Sequence, residues 1–344
     1  MGSVEGKNTE AKRQMKYTYG PVPSRRLGLS LGVDLLPKKI CTYDCIYCQI
    51  GRPALQTVER KEYVPARAIL HDVEQSLREC DGKIDYIAIS GSGEPTLNTV
   101  IGKVIQGIKK LTTTPVAVIT NSSLLHIEEV RQALRAADCV MPSLDAVTPS
   151  VFQTINRPLP LTKGSLAKGP PSAPALEIEQ IIQGLAAFRR EYNGQIWLEI
   201  LLCRGVNDAG EEIERMQEAI HIIQPDKVQL NTVVRPGVED YAAALSPDRM
   251  EQIKRSLGAD AEIIAEFEGD RHRMPQEHIE EQVIRIIQRR PETPEDLAKA
   301  LGLNDLETMK VLDRLAREGK ATYRVFNQRV YYEAAKRADK SGSR

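Results

Sequence analysis

The sequence lacks a charge imbalance, a long apolar run and a secretion signal. Its 47 lysines and arginines equal its 47 aspartates and glutamates, so no global field favours nucleic acid, an acidic membrane or an acidic substrate. No stretch approaches the roughly 18 to 20 consecutive apolar residues that cross a bilayer, and the polar first residues lack the apolar segment of a signal peptide. We therefore expect a cytoplasmic protein without a membrane partner.

Histidine and cysteine are also scarce, with five and six copies in 344 residues. The histidines have neither metal-ligand spacing nor a Ser-His-Asp arrangement, which removes support for nucleophilic hydrolysis. Three cysteines crowd into residues 41–48, whereas Cys80, Cys139 and Cys203 are far apart in the chain. In a reducing compartment, such crowding indicates a metal site rather than disulfides.

Short apolar, β-branched runs alternate with helical patterns, which is typical of a parallel sheet covered by helices on both faces. Strands are predicted at 29–36, 86–90, 116–121, 140–145, 197–202 and 228–234. Helices are predicted at 66–79, 100–111, 127–137, 177–192 and 209–223. This α/β pattern fits an open doubly wound sheet or a curved partial barrel, and both place ligands at the carboxyl ends of the strands.

Composition divides the chain into two predicted domains and two predicted disordered ends. Residues 1–16 and 335–344 are polar without an apolar period, and we expect them to be disordered. Residues 17–270 carry the strand and helix alternation, and residues 271–334 form a second, smaller unit. The proline-rich connection 157–175 is long for a compact domain, and it is either a lid over the substrate or a tolerated insertion.

The second unit has the pattern of a winged helix-turn-helix, which is three short helices followed by a hairpin. Thr293 is predicted to cap the second helix, and Asn304 with Glu307 makes a capping box for the third. The third helix is expected to bury one face, formed by Leu306, Met309, Leu312 and Leu315. Such a domain binds nucleic acid, binds a peptide or is purely structural. The candidate nucleic-acid contacts on the hairpin are Tyr323, Arg324, Arg329 and Tyr331.

The strongest chemical signal is the segment Cys41-Thr-Tyr-Asp-Cys45-Ile-Tyr47-Cys48, directly after the first predicted strand. Three thiolates at C-x3-C-x2-C spacing can hold three irons of a [4Fe-4S] cluster and leave the fourth iron open to a ligand. The alternative is a zinc site, which needs a distant fourth ligand such as His71 or Cys80.

A second signal, Ile89-Ser-Gly91-Ser-Gly93-Glu94-Pro95, ends the second predicted strand. Glycines let the backbone approach a ligand closely, and a neighbouring carboxylate can accept a hydrogen bond from an ammonium group. The segment could also be an ordinary turn between a strand and a helix. It lacks the third glycine of a dinucleotide loop and the Gly-Lys-Ser/Thr of a phosphate loop.

Together these segments resemble the radical S-adenosylmethionine (SAM) superfamily, whose signature has an aromatic residue before the third cysteine, here Tyr47. The resemblance implies a partial (β/α)6 TIM-type barrel and a [4Fe-4S] cluster on Cys41, Cys45 and Cys48. It further implies reductive SAM cleavage, hydrogen abstraction from a substrate by the 5′-deoxyadenosyl radical, and a flavodoxin or ferredoxin as electron donor. The SAM contacts that it implies are Tyr47, Gly91, Gly93, Glu94, Asn121, Ser143, Asp145 and Asn231, and it names no catalytic acid or base.

Other segments are similar to the radical SAM proteins grouped with wyosine tRNA synthases. They are Gly20-Pro-Val-Pro-Ser-Arg25-Arg26-Leu-Gly28, Ile119-Thr-Asn-Ser, Ser143-Leu-Asp, Ile155-Asn-Arg157-Pro and Gly205-Val-Asn-Asp208. Wyosine synthases proper have a second cluster on upstream cysteines, but no cysteine precedes Cys41 in this sequence. The tRNA substrate of those enzymes therefore does not transfer to this chain. Its substrate could be RNA, a peptide or a small molecule. The alternative function is an iron-sulfur regulator whose winged helix reads DNA without SAM cleavage.

Overall fold

The computed structural model describes residues 17–80, 84–159, 176–258, 260–264 and 279–335. Within these ranges an eight-stranded sheet has the order β1-β2-β5-β6-β7-β8-β9-β10. Its strands are β1 Thr18–Ser24, β2 Gly28–Val33, β5 Tyr86–Ile89, β6 Val116–Thr120, β7 Cys139–Pro142, β8 Gln195–Leu202, β9 Lys227–Thr232 and β10 Ala261–Ile263. β1 is antiparallel to β2, and the following strands are parallel to one another. A separate short pair, β3 Ile40–Cys41 and β4 Leu55–Gln56, lies in the connection after β2.

Helices cover the sheet because their apolar residues recur on one face. They are α1 Ala66–Glu79, α2 Ile101–Leu111, α3 Glu128–Leu134, α4 Pro149–Ile155, α5 Ile178–Glu191, α6 Gly210–Ile223 and α7 Pro247–Leu257. In α2 the buried residues Ile101, Val104, Ile105 and Ile108 follow the spacing of one helical face. Strand β7 is buried along its whole length, as expected for a sheet packed on both sides.

The structure confirms the α/β class and the six predicted strands, which are β2 and β5 to β9. Two strands at the sheet edges were missed. β1 contains Gly20 and Pro21, residue types that weaken a strand prediction but are tolerated at an edge. β10 is only three residues long, too short for an alternating pattern.

The described residues 279–335 form α8 Ile279–Arg289, α9 Pro294–Leu301, α10 Asp305–Arg317 and an antiparallel pair, β11 Ala321–Phe326 with β12 Arg329–Ala334. The predicted caps are confirmed: Thr293 Oγ1 accepts from Asp296 N at 3.1 Å, and Asn304 and Glu307 exchange hydrogen bonds of 2.8 and 3.2 Å. Asn327 and Gln328 both have left-handed φ, as a two-residue hairpin turn requires.

The predicted apolar face of α10 is wrong in its first half. Leu312 and Leu315 are fully buried, whereas Leu306 is 67% and Met309 39% exposed. A step of three residues turns about 300° around a helix, so each successive residue drifts by about 60°. Leu306 and Leu315 therefore lie on opposite sides of α10.

Residues 279–335 pack against the larger unit through α8 and α9, which contact β1, and through the hairpin. Tyr331 donates its hydroxyl to Val234 O at 2.9 Å, and Arg324 donates to Pro236 O at 3.3 Å. These two side chains hold the segment after β9, while Tyr323 is 62% exposed. Nucleic-acid binding by the hairpin stays a prediction.

Several predictions fall on residues outside the described ranges. They concern the disorder of residues 1–16 and 336–344 and the greater part of the candidate lid, residues 160–175. Within the described ranges, no helix is both long and apolar enough to cross a membrane.

Candidate functional site

The cysteine segment lies beyond the carboxyl end of β2 and is joined to the glycine segment by backbone hydrogen bonds. Ile40 N donates to Ser92 O at 3.1 Å, and Glu94 N donates to Ile40 O at 3.0 Å. Gly93 makes this approach possible because a Cβ at that position would lie 1.8 Å from Ile40 O. The two strongest signals in the sequence therefore meet as one unit of structure.

The segment after α4 supports the cysteine segment from the opposite side. Asp44 N donates to Asn156 O at 3.1 Å, and Ile46 N donates to Ile155 O at 3.0 Å. Gln56 donates its side-chain amide to Arg157 O at 2.7 Å. The Ile155-Asn-Arg157 segment that the sequence singled out thus positions the loop that carries the cysteines.

Each cysteine sulfur of this segment accepts a hydrogen bond from a nitrogen. Asn121 Nδ2 is 3.5 Å from Cys41 Sγ, and Asn156 Nδ2 is 3.5 Å from Cys45 Sγ. Lys39 Nζ is 2.9 Å from Cys48 Sγ and also donates to Gly51 O. Such donors orient metal-bound thiolates and tune the metal that they hold. The donor set therefore fits three thiolate ligands of an iron-sulfur cluster.

Burial raises the pKa of Cys41 to about 12 and that of Cys45 well above its ordinary value, which favours the protonated thiol of both when no metal is bound. In the described ranges, no group of three or more His, Cys, Asp or Glu side chains could hold a single metal ion. The zinc ligand set considered from the sequence is thus not assembled there. A cluster needs its ligands on separate irons rather than at one point.

Glu94, a predicted SAM contact, is only 1% exposed and joins the ends of β5 and β6. Its carboxylate accepts from Thr120 Oγ1 at 2.7 Å and from Asn121 N at 2.7 Å, and it also accepts from Thr96. Burial raises the pKa of Glu94, and these hydrogen bonds offset part of the shift. The carboxylate positions the two strand ends, and its contact with SAM stays a prediction.

Asp145 is a buried acceptor behind the cysteine segment. It accepts from the Tyr47 hydroxyl, from Asn156 Nδ2 at 2.8 Å and from Leu201 N at 3.0 Å. Burial raises the pKa of Asp145 to about 6, against the lowering effect of these donors. Asn207, from the Gly205-Val-Asn-Asp208 segment, donates to Asp145 O at 2.8 Å and fixes the backbone there.

The structure separates seven of the eight predicted SAM contacts into two groups, and the eighth, Glu94, lines neither cavity. Asn121, Ser143 and Asp145 surround a void of about 10 Å³ on the inner side of the cysteine segment. In contrast, an open cavity of about 350 Å³ is lined by Tyr47, Gly91, Gly93 and Asn231, together with Cys48. This cavity is where the predicted cofactor residues and open space coincide.

The same cavity contains arginines that sequence reasoning did not assign to a site. They are Arg25, Arg26, Arg235, Arg289 and Arg290. Arg26 lies 2.5 Å from Glu199, which also accepts from Asn231 Nδ2 at 3.2 Å. Burial raises the pKa of Glu199, but Arg26, Asn231 and Arg25 together outweigh it, and the net pKa is lowered. The paired arginines of the Gly20-to-Gly28 segment were the only local signal for this group.

Arg289 of α8 connects the C-terminal helices to the glycine segment. It forms an ion pair with the buried Asp34 and donates to Ser92 Oγ at 2.6 Å. Its guanidinium lies 4.9 Å from the centre of the Tyr19 ring. Asp34 in turn accepts from Ser92 N at 3.2 Å, so α8 and the glycine segment share one carboxylate.

The chain is similar to one protein family and to several known proteins. The sequence profile of the Radical SAM superfamily matches residues 35–220. The UPF0026 protein of Methanocaldococcus jannaschii is 32% identical over 327 residues, covering 92% of this chain and 96% of that protein. The GTPase Obg of Brachyspira hyodysenteriae is 34% identical over 327 residues, and this chain spans only 46% of its length. A crystal structure of a radical SAM methyltransferase from Sphaerobacter thermophilus aligns with 16% identity and a TM-score of 0.44, over 68% of this chain and 65% of that one.

Proposed function

The chain belongs to the radical SAM superfamily, and on this premise we propose that it is an enzyme that cleaves SAM reductively to begin radical chemistry on its substrate. Members of this family use a [4Fe-4S] cluster and SAM. Cys41, Cys45 and Cys48 would hold the cluster. The cluster would supply the electron that breaks a carbon–sulfur bond of SAM and releases a 5′-deoxyadenosyl radical to abstract hydrogen.

The observation that carries the proposal is the set of nitrogen donors on the cysteine sulfurs. Asn121, Asn156 and Lys39 each donate to a different sulfur, as outer-shell donors that orient and tune bound thiolates do. Cys48 and Gly93 line one cavity, so a ligand of the cluster could also contact the glycine backbone. The protein's own task is to orient the bound groups and to exclude water from them.

We further propose that the chain consists of a partial barrel and a winged helix. Strands β2 and β5 to β9, adjacent and parallel, would form the partial (β/α)6 TIM-type barrel of this superfamily. The helices α8 to α10 with the hairpin β11–β12 have the element order of a winged helix. Ligands of such a barrel bind at the carboxyl ends of the strands, where the 350 Å³ cavity lies.

We also infer an electron donor, a binding partner for the C-terminal unit and a closer family relationship. A flavodoxin or ferredoxin would donate the electron, and a nucleic acid or peptide would bind the C-terminal unit. The grouping with wyosine tRNA synthases rests on the shared segments, of which Ile155-Asn-Arg157 and Gly205-Val-Asn-Asp208 support the cysteine segment and Asp145.

Anaerobic reconstitution with iron and sulfide, followed by reduction and addition of SAM, tests the function. Wild type and a Cys80→Ala control should release 5′-deoxyadenosine, detected by mass spectrometry, and Cys45→Ala should release none. Accumulation of S-adenosylhomocysteine would instead indicate methyl transfer. Iron uptake without any product from SAM, combined with DNA binding in gel shifts that differs between apo and holo protein, would contradict the enzyme and favour the regulator.

A further inference from the structure

A second cavity adjoins the open cavity of the cofactor residues. It encloses about 150 Å³ between the larger sheet and the C-terminal helices. We call it the arginine recess, lined by Arg25, Arg235, Arg290, Lys299 and Arg329. The first three of these also line the 350 Å³ cavity, whereas Tyr47, Cys48 and Gly93 line only the larger one. A molecule could therefore reach from the cofactor residues into the recess.

Carboxylates neutralise only part of the positive charge in the recess. Arg235 pairs with Glu292 at 2.9 Å and with Asp296 at 3.1 Å, and Arg290 shares Glu292 at 2.5 Å. Arg25 has only the Asn231 amide oxygen, at 3.4 Å, and pairs with no carboxylate among the described residues. The charged side chains around Arg25 are therefore mostly other cations.

This arrangement is unfavourable for the protein alone. Burial lowers the pKa of Arg25 to about 10, the charges of Arg235, Arg26 and Arg290 add to the effect, and the nearby Glu199 offsets only part of it. In addition, Arg235 Nε is buried without a hydrogen-bond partner. Apolar side chains of similar size would fill the same space without these costs. The two carboxylates that line the recess, Glu292 and Asp296, are engaged by Arg235 and Arg290, so neither is paired with Arg25.

We propose that the arginine recess binds the phosphate group of a phosphorylated substrate, with Arg25 as its principal ligand. Planar guanidinium groups match the tetrahedral phosphate through paired hydrogen bonds, and several of them can converge on one phosphate. With the phosphate there, the rest of the substrate extends towards Tyr47 and Gly93, where the proposed radical chemistry begins. This inference rests on the proposed function, because that function gives the bound phosphate its role in holding a substrate. The binding test itself does not depend on SAM cleavage.

The test measures binding of radiolabelled inorganic phosphate to the reconstituted full chain by equilibrium dialysis. Arg25→Gln should weaken binding about 10- to 100-fold, the value of a charge-assisted hydrogen bond. The control is Arg78→Gln, which removes an exposed arginine paired with Glu74 on α1. Because Arg25→Gln leaves no carboxylate without its partner, the variant should not have a lower melting temperature in phosphate-free buffer. A lower melting temperature with unchanged phosphate affinity would mean a structural role and would overturn the proposal.

Competition experiments identify the kind of phosphate ester that the recess binds. They also test whether Arg25 binds SAM instead of phosphate. A nucleoside 5′-monophosphate that displaces inorganic phosphate indicates a phosphomonoester, and displacement by an RNA oligonucleotide without terminal phosphates indicates a phosphodiester. Displacement by neither, or an Arg25→Gln variant that loses affinity for SAM but not for phosphate, would refute a substrate phosphate site. Phosphate binding without SAM cleavage would instead refute the proposed function and leave the site intact.

Discussion

Two regions next to the 350 Å³ cavity, which we call the cysteine wall and the arginine wall, are stabilised in opposite ways. On the cysteine wall, formed by the cysteine segment and its supports, the buried carboxylates of Glu94 and Asp145 accept hydrogen bonds from neutral donors. On the arginine wall, formed by the arginines around the recess, several cations share fewer carboxylates, and Arg235 Nε has no partner. The buried carboxylates of the first wall have their hydrogen bonds without a ligand, whereas the second wall has cations that an anionic ligand would pair.

The largest expected effect is on the arginine wall, where Glu292 is 2% exposed and pairs with Arg235 and Arg290. Glu292→Gln should lower the free energy of unfolding by about 3 kcal/mol, because the buried Arg235 keeps only Asp296 and the partly exposed Arg290 loses its carboxylate. Urea denaturation measures the change. The control Glu74→Gln breaks an exposed pair on α1 and should cost less than about 1 kcal/mol.

The pH dependence of the free energy of unfolding of Glu292→Gln gives a second test. Burial raises the pKa of Glu292, but Arg290 and Arg235 outweigh it and hold the net pKa below its ordinary value. A lowered pKa in the folded state stabilises the protein above the ordinary glutamate pKa of about 4.3, and that stabilisation is lost as the pH falls through the folded value. The stability difference between wild type and Glu292→Gln should therefore shrink in acid. An equal difference at neutral and acidic pH would contradict the ion-pair explanation.

A smaller effect is expected on the cysteine wall, from the buried Lys39 beside Cys48. Lys39→Met removes the ammonium group that donates to the sulfur, 2.9 Å away. Iron affinity, measured by chelator competition on the reconstituted protein, should fall by about 10- to 100-fold. Lys61→Met, which removes an exposed lysine paired with Glu59, should leave it unchanged. Equal iron retention in both variants would mean that the lysine only packs the loop.

The smallest effect concerns the hydroxyl of Tyr47. Tyr47→Phe keeps the ring on the cavity but removes one donor to Asp145, which retains Asn156 and Leu201 N. The free energy of unfolding should fall by about 1.5 kcal/mol, since one hydrogen bond to a buried carboxylate is lost. Tyr63→Phe, whose hydroxyl bonds the exposed Glu59 carbonyl, should change it less. A loss of several kcal/mol in Tyr47→Phe would show that Asp145 cannot keep its other donors.

The cysteine wall was largely predictable from the sequence, and the arginine wall was not. Cys41 to Cys48 and Gly91 to Glu94 are contiguous segments at strand ends, and local patterns identify both. In contrast, Arg25, Arg235 and Arg290 come from a turn after β1, a segment after β9 and the end of α8. They meet only when the C-terminal helices pack on the sheet, a contact that local patterns do not encode.

Strand-end positions were predicted correctly for Asn121, Ser143 and Asp145, yet their surroundings were not. Each follows a parallel strand, as the alternating pattern indicates. The cysteine segment, however, covers these residues, and the Tyr47 hydroxyl donates a hydrogen bond to Asp145. A sequence specifies which residues end a strand more readily than which loop covers them, because the path of a long loop depends on tertiary contacts.

The ion pair between Arg289 and Asp34 joins residues 255 positions apart, and this separation sets an order of events during synthesis. The cysteine segment leaves the ribosome early, whereas the helix that covers the glycine segment follows roughly 230 residues later. At ~5–20 residues per second, the interval is on the order of ten to fifty seconds. During translation, the cysteine segment of the nascent chain therefore stays without this contact for a long interval before the helix that contacts Ser92 exists.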